Sequence, residues 1–334
     1  MIEKIISIGD LLNIKMCLTQ KDYADITRRF TNLKVSTYYD FEIHYKRIAK
    51  LKSMEVGIRK KPFRNAIYVV KKNNDHVLAY SPKQEYSCEN LIVRMKNKVE
   101  IFHCEDYESK ILIRVITELL IRKLLEKGYF PIHASCVMKA NKAILFMGPK
   151  NSGKSTALLT HVLLNKALPI SNDITFVGKE KDKWYAFGLP YDLTFDEEVL
   201  MQLKKDAFCK NDSMNISKYG SEKIRFNVIE FITNFKTKWI WSAPILNVNI
   251  VKLSKNKNHT ETLNITNELS LKALNYFGKD NNFSFDDYLN INNLFPEFKY
   301  EKFSKEVQFN KLEGNIIEYY SKEVDKNEKN SNRI

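Results

Sequence analysis

The stretch from Gly148 to Thr156 is the part of the chain whose residue types and spacing most clearly predict chemistry. Gly148, Gly153, Lys154 and Ser155 match the pattern G-x-x-x-x-G-K-[ST] without a mismatch, in a chain with only 10 glycines. Such a loop wraps its backbone N–H groups around a phosphate, and the N-terminus of the following helix adds positive charge. We therefore expect a nucleoside triphosphate site in which Lys154 reaches the β- and γ-phosphates and the Ser155 hydroxyl ligates Mg²⁺.

The elements on either side of the loop support this expectation. A wholly apolar run over 143–147, typical of a strand buried on both faces, ends directly on Gly148, and a helical pattern follows over 155–165. Asn151, Ser152 and Thr156 complete the predicted nucleotide contacts. Asn151 stands where many such loops have glycine, and asparagine tolerates a positive φ better than most residues.

Three nearby features have residue types suited to phosphoryl transfer. Asp173 lies at a predicted strand edge, nineteen positions after Lys154, where its carboxylate could meet Mg²⁺ or an incoming hydroxyl. His133 precedes Gly148 by fifteen positions. Each feature also has a purely structural interpretation, because Asp173 could cap a turn and His133 could be a core histidine.

The third feature is the basic stretch 218–225, predicted as a loop that could fold over the nucleotide. Lys223 and Arg225 could reach over the nucleotide from it and stabilise the charge of the phosphates. Their structural alternative is that of ordinary solvated cations.

Taken together, these segments resemble the catalytic domain of HPr kinase/phosphorylase. The resemblance rests on His133-Ala134-Ser135, on the loop from Gly148 to Thr156 and on Ser171-Asn172-Asp173, and it spans about 111–253. It implies ATP and Mg²⁺ as cofactors, Asp173 as base and metal contact, and His133 beside it. The family has a pair of acids, whereas this chain has Asn172 in the first position.

The function expected from this resemblance is transfer of the γ-phosphoryl group of ATP to a serine or threonine hydroxyl of a peptide or small protein. Lys154, Asp173 and His133 are the expected catalytic residues. Related kinases of this group modify serine in ribosomal peptides such as lasso peptide precursors, which defines one possible branch. Two alternatives stay open: a P-loop ATPase or GTPase with a regulatory or coupling role, and a nucleic-acid-binding protein.

Composition restricts these alternatives. Lys and Arg number 54 against 40 Asp and Glu, a formal charge of +14, but the cations are spread along the chain, which favours a solvated surface over a nucleic-acid stripe. An acidic peptide would suit such a surface. The five cysteines show no metal-ligand spacing, and no segment predicts a membrane span. We expect a soluble cytoplasmic protein, with some preference for a homo-oligomer because relatives of this family often assemble.

The predicted fold is an α/β P-loop kinase domain, a mixed sheet flanked by helices, over 107–320. A smaller β-rich domain suited to substrate recognition precedes it over 1–106, and a disordered tail covers 321–334. Helical spacing from Ile111 to Leu124 predicts a long helix that ends at Gly128. Further elements predicted from the pattern are a short helix over 21–29, strand pairs over 66–70 and 77–80 and over 91–93 and 99–102, strands over 174–177, 184–187 and 247–253, and a helix over 195–205.

Overall fold

The computed structural model describes part of the chain, and everything below refers to residues 1–48, 68–72, 76–81, 90–103, 110–147, 153–181, 183–207, 217–218, 223–250 and 314–316. These residues form two compact units, which divide between Lys127 and Gly128. The tail predicted over 321–334 and the first five residues of the glycine loop, 148–152, lie outside the described residues. Both units are mixtures of strands and a few helices.

The first unit contains a mixed sheet of eight strands. Its order is β3-β1-β2-β4-β8-β7-β6-β5, in which β2 to β4 and β4 to β8 pair in parallel and the other pairs are antiparallel. The strands are β1 (Ile2–Ile8), β2 (Leu12–Leu18), β3 (Lys34–Val35), β4 (Phe41–Arg47), β5 (Tyr68–Lys72), β6 (His76–Ser81), β7 (Asn90–Met95) and β8 (Lys98–His103).

Two helices accompany this sheet, α1 (Gln20–Arg29) and α2 (Lys110–Glu126). A capping box starts α1, because the Thr19 hydroxyl accepts from the Asp22 N–H while the Asp22 carboxylate accepts from the Thr19 N–H. The predicted helix over 111–124 is confirmed, and Gly128 follows it with φ 79°, as a C-terminal stop requires.

The long helix α2 belongs to the first unit, whereas the sequence placed the domain boundary before it, near 106. Its packing explains the difference. Lys123 Nζ lies 3.1 Å from Asp40 Oδ1, and the guanidinium of Arg122 lies over the ring of Phe41 at 5.7 Å. Helical periodicity identifies a buried face, but it does not say which sheet covers that face.

The second unit is built on another mixed sheet with the order β12-β10-β11-β18-β14-β13-β9, and β19 pairs with β18. Its strands are β9 (Phe130–Ile132), β10 (Ala134–Lys139), β11 (Lys142–Met147), β12 (Leu168–Ser171), β13 (Thr175–Glu180), β14 (Lys183–Gly188), β18 (Ser242–Ile250) and β19 (Gly314–Ile316). The apolar run 143–147 is indeed a central strand, since β11 lies between β10 and the parallel β18.

Within the described residues, the second unit also contains a smaller antiparallel sheet and three helices. The sheet has the order β15-β17-β16, and its strands are β15 (Leu193–Asp196), β16 (Ser217–Lys218) and β17 (Lys223–Phe226). The helices are α3 (Lys154–Asn165), α4 (Glu197–Ala207) and α5 (Val228–Asn234). An apolar core joins α3 to this layer through Leu158, Phe226, Phe231 and Trp239, all buried.

The main sheet of the second unit has its two ends tied together by short connections. One residue separates β9, at one end of the strand order, from β10 near the other end, and three residues separate β12 from β13. Gly188 on β14 lies so close to β12 that a Cβ added there would stand 1.7 Å from the carbonyl oxygen of Ile170. The sheet is therefore strongly curved, and this curvature needs a glycine at position 188.

Gly188→Ala should destabilise the protein by about 3 kcal/mol or more, because backbone rather than a flexible side chain blocks the new methyl group. Chemical denaturation followed by circular dichroism measures the loss. Gly128→Ala is the matched control: it has open space around it and a positive φ, so its cost should be about 1 kcal/mol of backbone strain. Equal losses for the two variants would contradict the close approach.

A second prediction concerns Glu118, a fully buried carboxylate on α2. Arg114 Nε donates to its Oε1 at 2.9 Å, while Oε2 has no hydrogen-bond partner in the described part of the chain. Burial raises the pKa of Glu118 from 4.5 to about 7. Between those values the folded state holds more protons than the unfolded state, so this group makes stability fall as pH rises.

The contribution amounts to roughly 3 kcal/mol across pH 4.5 to 7. Glu118→Gln keeps the shape and removes the titration, so the variant should gain stability relative to the parent at pH 8 but not at pH 5. Denaturant midpoints at both pH values measure this difference. A parallel pH dependence in the two proteins would refute the assignment.

Candidate functional site

Strand register brings three predicted segments to the same edge of the second sheet. Ala134, the first residue of β10, pairs with Met147, the last residue of β11, which leads into the glycine loop. On the other side of β10, Cys136 pairs with Ser171, the last residue of β12. His133, the start of the glycine loop and the segment after Ser171 therefore all leave the sheet at one edge.

His133 and Asp173 are in direct contact at this edge. His133 Nε2 lies 3.0 Å from Asp173 Oδ1, and the side chains are 13% and 43% exposed respectively. His133 is the single residue between β9 and β10, and Asp173 lies in the bend between β12 and β13. The sequence predicted both residues as neighbours of the loop, and the structure brings them together as an ion-paired or hydrogen-bonded couple that remains open to solvent.

The two bends that carry this couple oppose each other between two matched strand pairs. Ile132 pairs with Thr175 on one side and Cys136 pairs with Ser171 on the other, so three residues of each strand lie between the two pairs. Neither strand gains or loses a residue between these two pairs, and a one-residue register shift follows directly, between Cys136 and Val137. The relative positions of His133 and Asp173 are therefore determined by strand pairing and do not depend on a long loop.

Buried hydroxyl groups satisfy the backbone of these bends. Ser135 Oγ donates to the carbonyl oxygen of Asn172, and Thr175 Oγ1 donates to the carbonyl oxygen of Ala134 at 2.9 Å. Ser171 Oγ in turn donates to Thr175 Oγ1. The sequence pattern alone predicts no role for these hydroxyls. The sequence feature that could have identified them is the presence of three small hydroxyl residues in segments that are otherwise mostly apolar and buried.

The side chain of Asn172 points into the protein. Its side chain is only 7% exposed, and within the described residues its Oδ1 has no hydrogen-bond partner. Asp173, the next residue, is half-buried and contacts His133. The two adjacent residues thus differ in environment, and the one that carries charge is the one that faces the open side.

The N-terminus of α3 has the features of an anion site. Gly153 is its N-cap with φ 92° and ψ 14° and makes no side-chain cap hydrogen bond, and the first turn has no acidic residue. Lys154 is buried at 7% exposure, while Ser155 and Thr156 are half-buried. Gly148, Asn151 and Ser152, also predicted to bind nucleotide, lie outside the described residues and stay predictions.

A second histidine, His161, lies on α3 and is buried against β11. His161 packs on the ring of Phe146 with centroids 5.0 Å apart, and its Nδ1 lies 3.3 Å from Asn165 Nδ2. Burial, with a smaller effect of Lys139, lowers the pKa of His161 to about 4, so it is neutral at physiological pH. It fixes the helix against β11 and takes no part in the open edge.

Lys223 and Arg225 lie on β17, in the small sheet, and both are exposed. Arg225 Nε donates to Asp192 Oδ2 at 2.7 Å, so its guanidinium is held against β15. The predicted loop is in this part a strand, because Ile224 and Phe226 alternate with the cations and are fully buried. The role of the two cations at the nucleotide stays a prediction.

Comparisons with known proteins give a limited result. No protein-family model matches the chain, and no curated protein matches it. Among solved structures, the chain is similar to the Hpr(Ser) kinase/phosphatase from Coxiella burnetii, with 13% identity over 41% of this chain and 72% of that chain, and a TM-score of 0.24. A likeness this loose leaves the family open, and nothing in it points to the lasso-peptide branch.

Membrane association through a spanning helix is a separate matter. Among the helices of the described ranges, none combines the length and the apolar character needed to cross a bilayer.

The hydroxyl network generates a prediction about stability. Ser135→Ala leaves the buried carbonyl of Asn172 without its donor and should cost about 1–3 kcal/mol. Ser242→Ala, at an exposed serine on β18, is the control and should stay within about 0.5 kcal/mol of the parent. Urea denaturation measures both. Loss of the same size in the two variants would mean that the Ser135 hydroxyl does not support the bend.

Proposed function

We propose that the chain is an ATP-dependent kinase that transfers the γ-phosphoryl group to a serine or threonine hydroxyl of a peptide or small protein, as HPr kinases do. One observation carries the proposal: the strand that leads into the glycine loop, the bend of His133 and the bend of Asp173 leave the sheet at one edge. Phosphate-binding and proton-accepting groups are thereby available at a common site.

The phosphates bind at the start of α3. The exposed N–H groups of the first turn and the helix dipole attract the anion, and Lys154 neutralises part of its charge. Because Lys154 is largely buried, its charge acts where water screens it less than at the surface. Ser152, Asn151 and Gly148 would supply further contacts from the loop itself.

Asp173 is the proposed base. The acceptor hydroxyl gives its proton to the Asp173 carboxylate as its oxygen bonds to the γ-phosphorus, and the bond from that phosphorus to the β,γ-bridging oxygen breaks, which releases ADP. His133 holds Oδ1 of the carboxylate, so the other oxygen can face the acceptor. Positioning of this kind accounts for most of the catalysis in phosphoryl transfer.

Mg²⁺ fits the residues available here. The Ser155 hydroxyl and the Asp173 carboxylate are the hard oxygen ligands that this ion prefers, and Ser155 immediately follows Lys154 on the first turn of α3. When bound, Mg²⁺ neutralises the oxygens of the β- and γ-phosphates. Asn172 brings no charge to the site, so the metal would have one carboxylate where the resembling family has two.

The rest of the proposal concerns the acceptor and its surroundings. Lys223 and Arg225 add positive charge to the second unit, and the whole chain has a formal charge of +14, which suits an acidic peptide. The β-rich first unit would recognise that acceptor. A cytoplasmic location, a homo-oligomeric state and the peptide-modifying branch are further parts of the proposal.

Lys154→Ala and Asp173→Asn separate nucleotide binding from transfer. Lys154→Ala should weaken ATP binding and lower the rate of ³²P transfer from [γ-³²P]ATP to a serine-containing peptide library by about 10²–10³-fold. Asp173→Asn should retain binding of ATP without Mg²⁺ but lose transfer. Lys142→Ala, an exposed lysine on the hairpin before the loop, is the matched control and should behave as the parent.

Three results would count against the proposal. Transfer at the parental rate by Asp173→Asn would refute the assignment of Asp173 as the base. Equal ATP affinity in the Lys154 and Lys142 variants would refute the contact between Lys154 and the phosphates. ADP release that is as fast without any acceptor peptide as with it would favour the ATPase alternative.

A further inference from the structure

One face of the first-unit sheet carries polar residues in register across four strands. Glu3 pairs with Cys17, Cys17 with His44, and His44 with Glu100, so these four residues form a row over β1, β2, β4 and β8. The opposite face holds the core residues Ile14, Met16 and Ile43, which are fully buried. Because successive side chains of a strand point to opposite faces, the row lies on the face of the sheet away from these core residues.

Three side chains on this face converge closely. The ligand atoms of Cys17, Glu42 and His44 all lie within 4.8 Å of one another, and each side chain is half-buried. Glu42 belongs to the adjacent row, two residues before His44 on the same strand, and its Oε1 lies 2.9 Å from His44 Nε2. The pairing of adjacent strands fixes the three Cα positions. Only side-chain torsions would therefore have to change for the three ligand atoms to reach one ion.

We propose that Cys17, Glu42 and His44 bind a divalent transition-metal ion of the zinc class. A tetrahedral ion with bonds of about 2.0–2.3 Å separates its ligands by roughly 3.5 Å, which the present spacing reaches with small rotations. A thiolate, an imidazole and a carboxylate together suit Zn²⁺ or Co²⁺ rather than Mg²⁺ or Ca²⁺, which prefer oxygen alone. Water takes the fourth position.

Lys15 is the competitor for this site. Its Nζ lies 3.2 Å from Glu3 Oε1 and 3.5 Å from Glu42 Oε1, so one ammonium already lies against both carboxylates. An incoming metal ion displaces the Lys15 ammonium from Glu42, while the ion pair between Lys15 and Glu3 is kept. Cys17 Sγ, which donates to Glu3 Oε2 at 3.7 Å, gives up its proton on binding the metal. Removal of Lys15 should therefore tighten metal binding.

The test is a titration of the full-length, metal-free protein with Co²⁺. Binding should produce a sulfur-to-cobalt charge-transfer band in the near ultraviolet and intense visible bands of a tetrahedral ion, and Zn²⁺ should abolish them. Cys17→Ser should lose the charge-transfer band, His44→Ala should weaken binding at least about tenfold, and Lys15→Met should strengthen it. Circular dichroism checks that each variant is folded.

Two controls distinguish this site from others in the chain. Cys136→Ser changes a fully buried cysteine of the second unit and should keep the band. Asp173→Asn changes the proposed kinase site and should keep it too, so failure of either proposal is visible without the other. Absence of the band in the parent, or its persistence in Cys17→Ser, would overturn the inference and leave these residues as an ion-pair network with Lys15.

Discussion

The pairing of β9–β10 with β13–β12 across one bend is the constraint on which the second unit depends. Both strands bend within the same three-residue interval, between the pairs Ile132–Thr175 and Cys136–Ser171, and the register shifts by one residue just beyond Cys136. A shift of one residue in either strand would turn Asp173 away from His133 and turn apolar residues outward, because side chains alternate between faces. The geometry of the site and the integrity of the core thus depend on the same register.

A bend inside a buried sheet leaves backbone groups without strand partners, and their desolvation is costly. Ser135, Ser171 and Thr175 meet this cost with hydroxyl groups on the adjacent strands. Apolar residues of similar size would fill the space equally well but would leave the carbonyls of Ala134 and Asn172 unsatisfied. Gly188 contributes in a different way, since the absence of its side chain lets β14 approach β12 at the same level of the sheet.

Much of this organisation could be predicted from the sequence, and the failures have physical causes. Strong periodicity identified the helix from Ile111 to Leu124 and the buried strand before the glycine loop, because local patterns suffice for both. The unit to which the helix belongs depends on distant partners such as Asp40, which periodicity does not contain.

At the site, residue order placed His133 and Asp173 near the loop, but their contact required the register of two strand pairs. The buried hydroxyls were assigned no role for the same reason, since the carbonyls they satisfy belong to another strand. The Cys17, Glu42 and His44 cluster was missed because its spacing in sequence matches no metal motif: it forms only when β2 and β4 pair in parallel.

Asn172 and Asp173 are adjacent residues that give the proposed kinase site one uncharged and one acidic side chain. Two adjacent carboxylates would repel each other and the triphosphate, and a bound cation would have to compensate both. In this chain the buried position is uncharged, and the single charged neighbour, Asp173, contacts His133. In the proposed kinase, repulsion of the nucleotide would therefore be smaller than with two carboxylates, attraction for Mg²⁺ would be weaker, and the orientation of the single carboxylate would depend more on His133. One carboxylate is enough to accept one proton from an acceptor hydroxyl.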